Sequence, residues 1–338
     1  MTGLSTIIIG FGQIADGLGR DERMSENFEY ATHAQVLADH PAFDWLGVVD
    51  PSVEALGAAR DSWQIPHVGA DIDTVAKAVQ PEVAIITAPA DTRAEIVQQL
   101  PNLKAVLVEK PLGGSDAEAT SFVDFCRDRN IAVQVNYWRR ADELYRKLAA
   151  GELLRRIGRP QAAFATYGSG LHNNGSHMID FIRMLLGEVA MVQALGDARH
   201  IDNPPLPGDQ HAAFALTMTS GTVVTVHPLD FNRYREVGLD IWGETGRLAL
   251  LQESLGVYHY PLADNRGLDD AMEIASDRPE VLEPTAGRAL YDMYDNLASV
   301  LAGNGELWSS GDSALSSERI LDAVLDSADR SGERLHFA

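Results

Sequence analysis

An apolar run, Thr6-Ile7-Ile8-Ile9, stops abruptly at Gly10-Phe11-Gly12-Gln13-Ile14-Ala15, and this junction constrains the chain more than any other feature. A strand that ends in Gly-x-Gly-x-x-Ala and passes into a helix is the opening of a βαβ unit on a parallel sheet. The first glycine permits a tight turn, the second lets the backbone approach a pyrophosphate, and the small Ala15 lets helix and strand pack closely. The helix N-terminus then offers N–H donors to the phosphates. Further apolar runs follow at 45–50, 83–87, 105–109 and 131–136, separated by helical patterns at 74–79, 92–100 and 116–129. Continuous apolar runs are expected of strands covered on both faces. Residues 1–136 are therefore predicted to form a Rossmann dinucleotide-binding domain of the α/β class.

Beyond Asn136 the pattern changes. Residues 143–154 and 175–186 read as helices, and 161–167, 190–196, 212–227 and 238–260 as β-rich runs. Ser220-Gly221 between two β-prone stretches is a hairpin signal, and Gly243-Glu244-Thr245-Gly246 is a second tight connection. Residues 284–301 and 313–331 return to helical patterning, and 202–210, with three prolines and a glycine, reads as a surface loop. Residues 137–338 are predicted to form an α+β domain with a mostly antiparallel open sheet.

Composition narrows the partners. A formal charge of −22 argues against nucleic-acid and anionic-membrane surfaces, which need clustered Lys and Arg. The single cysteine, Cys126, excludes an internal disulfide and a multi-cysteine metal site, and no metal is expected. No apolar run approaches the ~20 residues that span a bilayer. The start runs from Met1 straight into the first strand with no basic region, so a soluble, cytoplasmic protein is expected.

Two side chains stand at predicted strand ends. Asp50 closes Leu46-Gly47-Val48-Val49, where a carboxylate accepts from ribose hydroxyls and repels a 2′-phosphate, so NAD is expected over NADP. It is also good turn chemistry, being followed by Pro51-Ser52. Asp50 lies further than ~20 residues from the glycine turn, and the polar stretch 16–30 reads as an insertion, with the helix resuming at Ala31-Thr32-His33-Ala34. The second is Lys110, in Glu109-Lys110-Pro111, which points into the crevice where ligands bind open parallel sheets.

With these residues assembled, the chain resembles the Gfo/Idh/MocA oxidoreductases, a family that includes glucose–fructose oxidoreductase and inositol dehydrogenase. The resemblance rests on Gly10 to Ala15, on Ile85-Ile86-Thr87-Ala88-Pro89, on Glu109-Lys110-Pro111 and on Asn136-Tyr137-Trp138-Arg139-Arg140. It extends to Gly168-Ser169-Gly170 and to Gly175-Ser176-His177-Met178-Ile179-Asp180. It implies that Gly10, Gly12, Gln13, Ile14, Ala15, Asp50, Thr87, Pro89, Glu109 and Lys110 surround the cofactor. Lys110 would contact the reacting oxygen, His177 would transfer the proton, and Asp180 would bind substrate or steady the helix. The chain departs from the family in having Asn173 where an aspartate is usual, and Ala90 and Arg93 after Ala88-Pro89.

The expected activity is NAD(P)-dependent hydride transfer to or from a secondary alcohol or ketone of a sugar, a cyclitol or a sugar derivative. The alternatives are an NAD-using lyase or glycosidase with transient redox, and a non-catalytic dinucleotide-binding regulator. Relatives associate through the open sheet, so a homodimer or tetramer is expected.

Overall fold

The computed structural model describes residues 3–337, which divide into two compact units. The first unit, residues up to Ala141 together with Ala286–Glu318, is built on β1 (Leu4–Ile9), β2 (Phe43–Val49), β3 (His67–Gly69), β4 (Val83–Ile86), β5 (Ala105–Val108) and β6 (Ala132–Val135). All pair in parallel in the order β3-β2-β1-β4-β5-β6, so the order reverses beside β1 and a crevice opens beyond the strand ends. Only β3 escapes the sequence pattern: it is three residues at the sheet edge and carries no apolar run.

Alternate strand residues serve opposite faces. Ile7, Ile9, Ile86, Val106 and Val108 pack with Phe122, Val123 and Cys126 of helix Asp116–Asp128. Ile8, Val48, Ile85 and Leu107 pack on the other side with Leu290, Tyr294 and Leu297 of helix Ala289–Leu301. The spacing of those three residues gives that helix one apolar face, and the sheet of the first unit buries it. A single boundary after Asn136 therefore does not describe the packing, because the chain returns to the first unit at Ala286.

The helix expected directly after the glycine turn is interrupted. Residues 12–16 form turns, followed by short helices at Gly17–Arg20 and Glu22–Asn27 and then helix His33–Asp39. Yet His33 N–H donates to Ile14 O at 3.2 Å and Ala34 N–H to Ala15 O at 2.9 Å. Both bonds reach back 19 residues where a continuous α-helix reaches back four, and the difference of 15 is the length of 16–30. The insertion is thus looped out of a helix whose hydrogen-bond ladder closes behind it. It packs within its own unit, Phe28 edge-on to Trp138 and Tyr30 against Tyr291.

The second unit, Asp142–Thr285 with the residues from Arg319 onward, carries a ten-stranded sheet. Its strands are β7 (Pro160–Gly168), β8 (Val189–Ala194), β11 (Phe214–Met218), β12 (Val223–Leu229), β13 (Gly238–Gly243), β14 (Gly246–Leu251), β15 (Gly256–Asp264), β16 (Met272–Ile274), β17 (Glu280–Leu282) and β18 (Leu335–His336). The short pair β9 (Arg199–His200) and β10 (Gln210–His211) stands apart. Every pairing is antiparallel except β12 with β7, which bears out the mostly antiparallel sheet. The 238–260 run proves to be three strands, broken at Gly243–Gly246 and at Gln252-Glu253-Ser254, whose φ angles are positive. The helix expected over 143–154 is broken by Gly151, whose φ of 112° no α-helix accommodates. Helix Ser176–Leu186 buries Met178, Ile179, Phe181, Ile182 and Leu185 against one face of the sheet.

Candidate active site

In the first unit the glycine turn is pinned from two sides. Asp50, buried at the end of β2, accepts from Phe11 N–H at 2.6 Å through Oδ2 and from Ser52 N–H at 2.7 Å through Oδ1. Thr87, just beyond β4, donates its hydroxyl to Gly10 O at 2.6 Å. Gly10 has φ +85°, and a Cβ there would stand 2.9 Å from Ala88 N, so no larger residue fits. Gly12 is the opposite case: a Cβ would meet nothing within 4 Å, leaving an open backbone surface of the kind a pyrophosphate approaches. Gln13 is exposed, Ile14 half-buried and Ala15 buried, and Pro89 leads into a short helical turn, Ala90–Thr92. The residues present fit a dinucleotide.

Beyond β5, Glu109 and Lys110 precede a cis Lys110–Pro111 bond. Arg93, one of the departures from the family pattern, is buried and donates through Nη1 to Pro111 O at 2.6 Å and Leu112 O at 3.0 Å. It therefore grips the segment after the lysine. Burial pushes its guanidinium down to about 10, opposed chiefly by Glu109, Glu318 and Glu118, so it remains charged near neutrality. Glu318 in turn accepts Leu112 N–H at 2.8 Å. Glu109 Oε1 accepts from Asn136 Nδ2 at 2.6 Å and lies 3.0 Å from His33 Nε2.

In the second unit His177 sits half-buried in the first turn of helix Ser176–Leu186, entered through a wide helical turn, Leu171–Gly175. Helix Ser176–Leu186 has no side-chain cap of its own, and the carboxylate that holds the turn leading into it comes from elsewhere. Asp209 Oδ1 accepts from His172 N–H at 3.0 Å and Gln210 N–H at 2.9 Å, and Oδ2 accepts from Asn173 N–H at 2.9 Å. The His172 ring lies 3.4 Å from the same carboxylate. Burial pushes Asp209 up, but these hydrogen bonds outweigh it and hold the carboxyl below its usual range. A Cβ on Gly170 would overlap Asp209, which explains a glycine there with φ +102°. The 202–210 segment, expected as a surface loop, thus ends in a buried structural carboxylate. Asn173 donates Nδ2 to Ser169 O at 3.1 Å. Asp180 is buried, with Arg183 Nη1 3.9 Å away on the next turn.

The predicted residues therefore fall in two groups. The glycine turn, Asp50, Thr87, Pro89, Glu109 and Lys110 occupy the strand-end edge of the first unit, while Asn173, His177 and Asp180 share one helical segment of the second. Within the Asn136–Arg140 segment, Tyr137 and Arg139 are buried, with the Arg139 guanidinium over the Trp138 ring. Sequence reasoning missed Asp209 and the gripping role of Arg93. Nothing local signals either, since each acts on a segment distant in the chain.

This parallel sheet, with its reversed strand order and glycine turn, defines a dinucleotide-binding fold, joined in this chain to a second α+β unit. The chain belongs to the Gfo/Idh/MocA family: residues 4–137 match the oxidoreductase family's NAD-binding Rossmann fold, and residues 138–249 its C-terminal domain. Its cofactor is accordingly NAD, and it is an NAD(P)-dependent enzyme of that oxidoreductase class. No curated protein matches it by sequence. Among solved structures it is similar to an oxidoreductase of Agrobacterium radiobacter bound to NAD+, L-tartaric acid and magnesium, with 18% identity, TM-score 0.73, and 99% of this chain and 98% of that one covered. It is similar also to the WlbA dehydrogenase of Bordetella pertussis bound to NADH and UDP-GlcNAcA, with 18% identity, TM-score 0.73 and 99% of each chain covered. A third is an oxidoreductase domain protein of Kribbella flavida, with 17% identity, TM-score 0.73 and 99% of each chain covered. At such identities the likeness is one of fold. No helix among the described residues is long and apolar enough to cross a membrane.

Proposed function

We propose that the protein is an NAD-dependent dehydrogenase acting on a secondary alcohol or ketone of a sugar, a cyclitol or a sugar derivative. The observation that carries this reading is the strand-end edge of the first unit, where a doubly pinned glycine turn and Glu109-Lys110 stand on one parallel sheet. The WlbA neighbour, crystallised with a nucleotide sugar acid, supports a polyol-like substrate. When bound, the nicotinamide supplies the hydride acceptor or donor. Lys110 stabilises the charge developing on the substrate oxygen, and His177 takes or returns the hydroxyl proton at its imidazole. Asp180, held against Arg183, steadies the helix that carries His177.

The test is a thermal-shift panel of sugars and cyclitols with NADH or NADPH present, since a ligand of the native state raises its melting temperature. Hits are then assayed for NADH formed per turnover. One NADH per product supports the dehydrogenase. Turnover without net NADH moves the protein to the transient-redox lyases, and binding without turnover makes it a regulator. In the same panel NADH is expected to bind roughly tenfold or more tighter than NADPH, because Asp50 faces the 2′-phosphate position with like charge. Tighter NADPH binding would reduce Asp50 to a turn residue.

We further propose a homo-oligomer through the uncovered face of the ten-stranded sheet. Phe164 and Trp242 project there, 46% and 41% exposed, while their neighbours Ala163, Ala165 and Ile241 are buried on the other face. Arg247 lies over both Trp242 and Tyr260 and pairs with Asp240 at 2.7 Å, extending the patch. Light scattering is expected to give a dimer or tetramer that Trp242→Glu converts to monomer. A monomeric wild type sinks the idea.

A further inference from the structure

A line of buried polar groups crosses the first unit beneath its strand ends, and the chemistry above uses only its far end. Tyr294 and His33 are fully buried, with Tyr294 Oη 2.7 Å from His33 Nδ1. His33 Nε2 lies 3.0 Å from Glu109 Oε1, the oxygen that also accepts from Asn136 Nδ2. Glu109 retains 14% side-chain exposure where His33 has none. The line therefore runs from the core out to a carboxylate next in the chain to Lys110.

The partners fix the protons. Glu109, a carboxylate that only accepts, takes the proton of His33 Nε2, and in the neutral imidazole Nδ1 then accepts from the buried Tyr294 O–H. Burial and the Glu109 charge push the Tyr294 phenol well above its usual range, which keeps that O–H in place. Burial pushes Glu109 up as well, but its hydrogen bond and electrostatic attraction to His33, then the Asn136 hydrogen bond and the Lys110 charge, outweigh it and hold the carboxyl below its usual range. Arg93 is the other cation facing Glu109, and Glu318 and Glu118 surround it in turn.

We propose that His33 and Tyr294 are positioning residues that act through Glu109 on Lys110, fixing a negative charge beside the lysine so that it stays an ammonium able to donate to a substrate oxygen. The proposal rests on the reading of Lys110 as substrate-contacting, but its test does not. A network serving only core specificity alters stability and leaves the Lys110 titration untouched.

The chain has four lysines, Lys77, Lys104, Lys110 and Lys147, so reductive dimethylation with 13C-formaldehyde gives a sparse NMR spectrum that can be titrated in the NADH-bound, full-length protein. The Lys110 signal is identified by its loss in Lys110→Arg. Glu109→Gln is expected to lower the Lys110 midpoint by about one unit. His33→Leu lowers it by less, because Glu109 stays ionised where a lysine titrates but is no longer held in place by that donor. His33→Gln, which keeps an N–H, returns most of the shift, and Tyr294→Phe gives a smaller shift in the same direction. Equal midpoints in wild type, Glu109→Gln and His33→Leu overturn the proposal. Should His33→Leu fail to fold, equal midpoints in Glu109→Gln and Tyr294→Phe overturn it. A Lys110→Ala enzyme that still transfers hydride overturns the catalytic reading alone, while an inactive one with no Lys110 shift in these variants overturns the coupling alone.

Discussion

Lys110→Ala and His177→Ala are each expected to slow hydride transfer by roughly 10²–10⁴-fold, while NADH affinity changes by less than about threefold. The dissociation follows from placement. Lys110 lies beyond β5 and His177 on a helix of the second unit, whereas the surface proposed for the pyrophosphate is the Gly10–Ala15 turn, pinned by Asp50 and Thr87. Neither substitution touches that turn. Single-turnover rates with any substrate found by the panel, alongside NADH fluorescence titration, check both halves. Near wild-type turnover in either variant would remove that residue from the mechanism, and a large loss of NADH binding would make it a cofactor ligand instead.

Asp209→Asn is expected to destabilise the protein by roughly 2–4 kcal/mol at neutral pH, since a buried carboxylate accepting several N–H groups is replaced by an amide that meets some of them with donors. The sign with pH is fixed by linkage. The folded carboxyl lies below its usual range, so its contribution is fully present above the unfolded value of ~3.9 and is lost as pH falls through the folded value. Urea melts of wild type and variant should therefore differ most above about pH 5 and converge as the pH drops below about 4. A constant difference across that range would mean that Asp209 does not act as an ionised acceptor. Loosening the Leu171–Gly175 turn should also lower kcat, because that turn sets the first residues of the His177 helix.

Much of the first unit was legible because its signals are local. A buried parallel strand needs a continuous apolar run, and a glycine turn needs glycines, so β1, β2, β4, β5 and β6 stand out where β3, three residues at an edge, does not. The length of the insertion was legible too, from the polarity of 16–30. That the helix closes behind it was not, because the Ile14–His33 and Ala15–Ala34 bonds join residues on opposite sides of the insertion.

The sequence by itself determined the parallel sheet with its dinucleotide turn, the second α+β unit and the candidates Asp50 and Lys110, for each is written in residues adjacent in the chain, while His177 became a candidate only through the family resemblance. Only the tertiary structure decided which groups hold them. Tyr294 returns from the far end of the chain to reach His33, Arg93 crosses to the carbonyls of Pro111 and Leu112, and Asp209 caps a turn formed by residues 171–175. The physical reason is common to all three: a buried polar group must find a partner wherever packing brings one, and packing is not periodic in sequence.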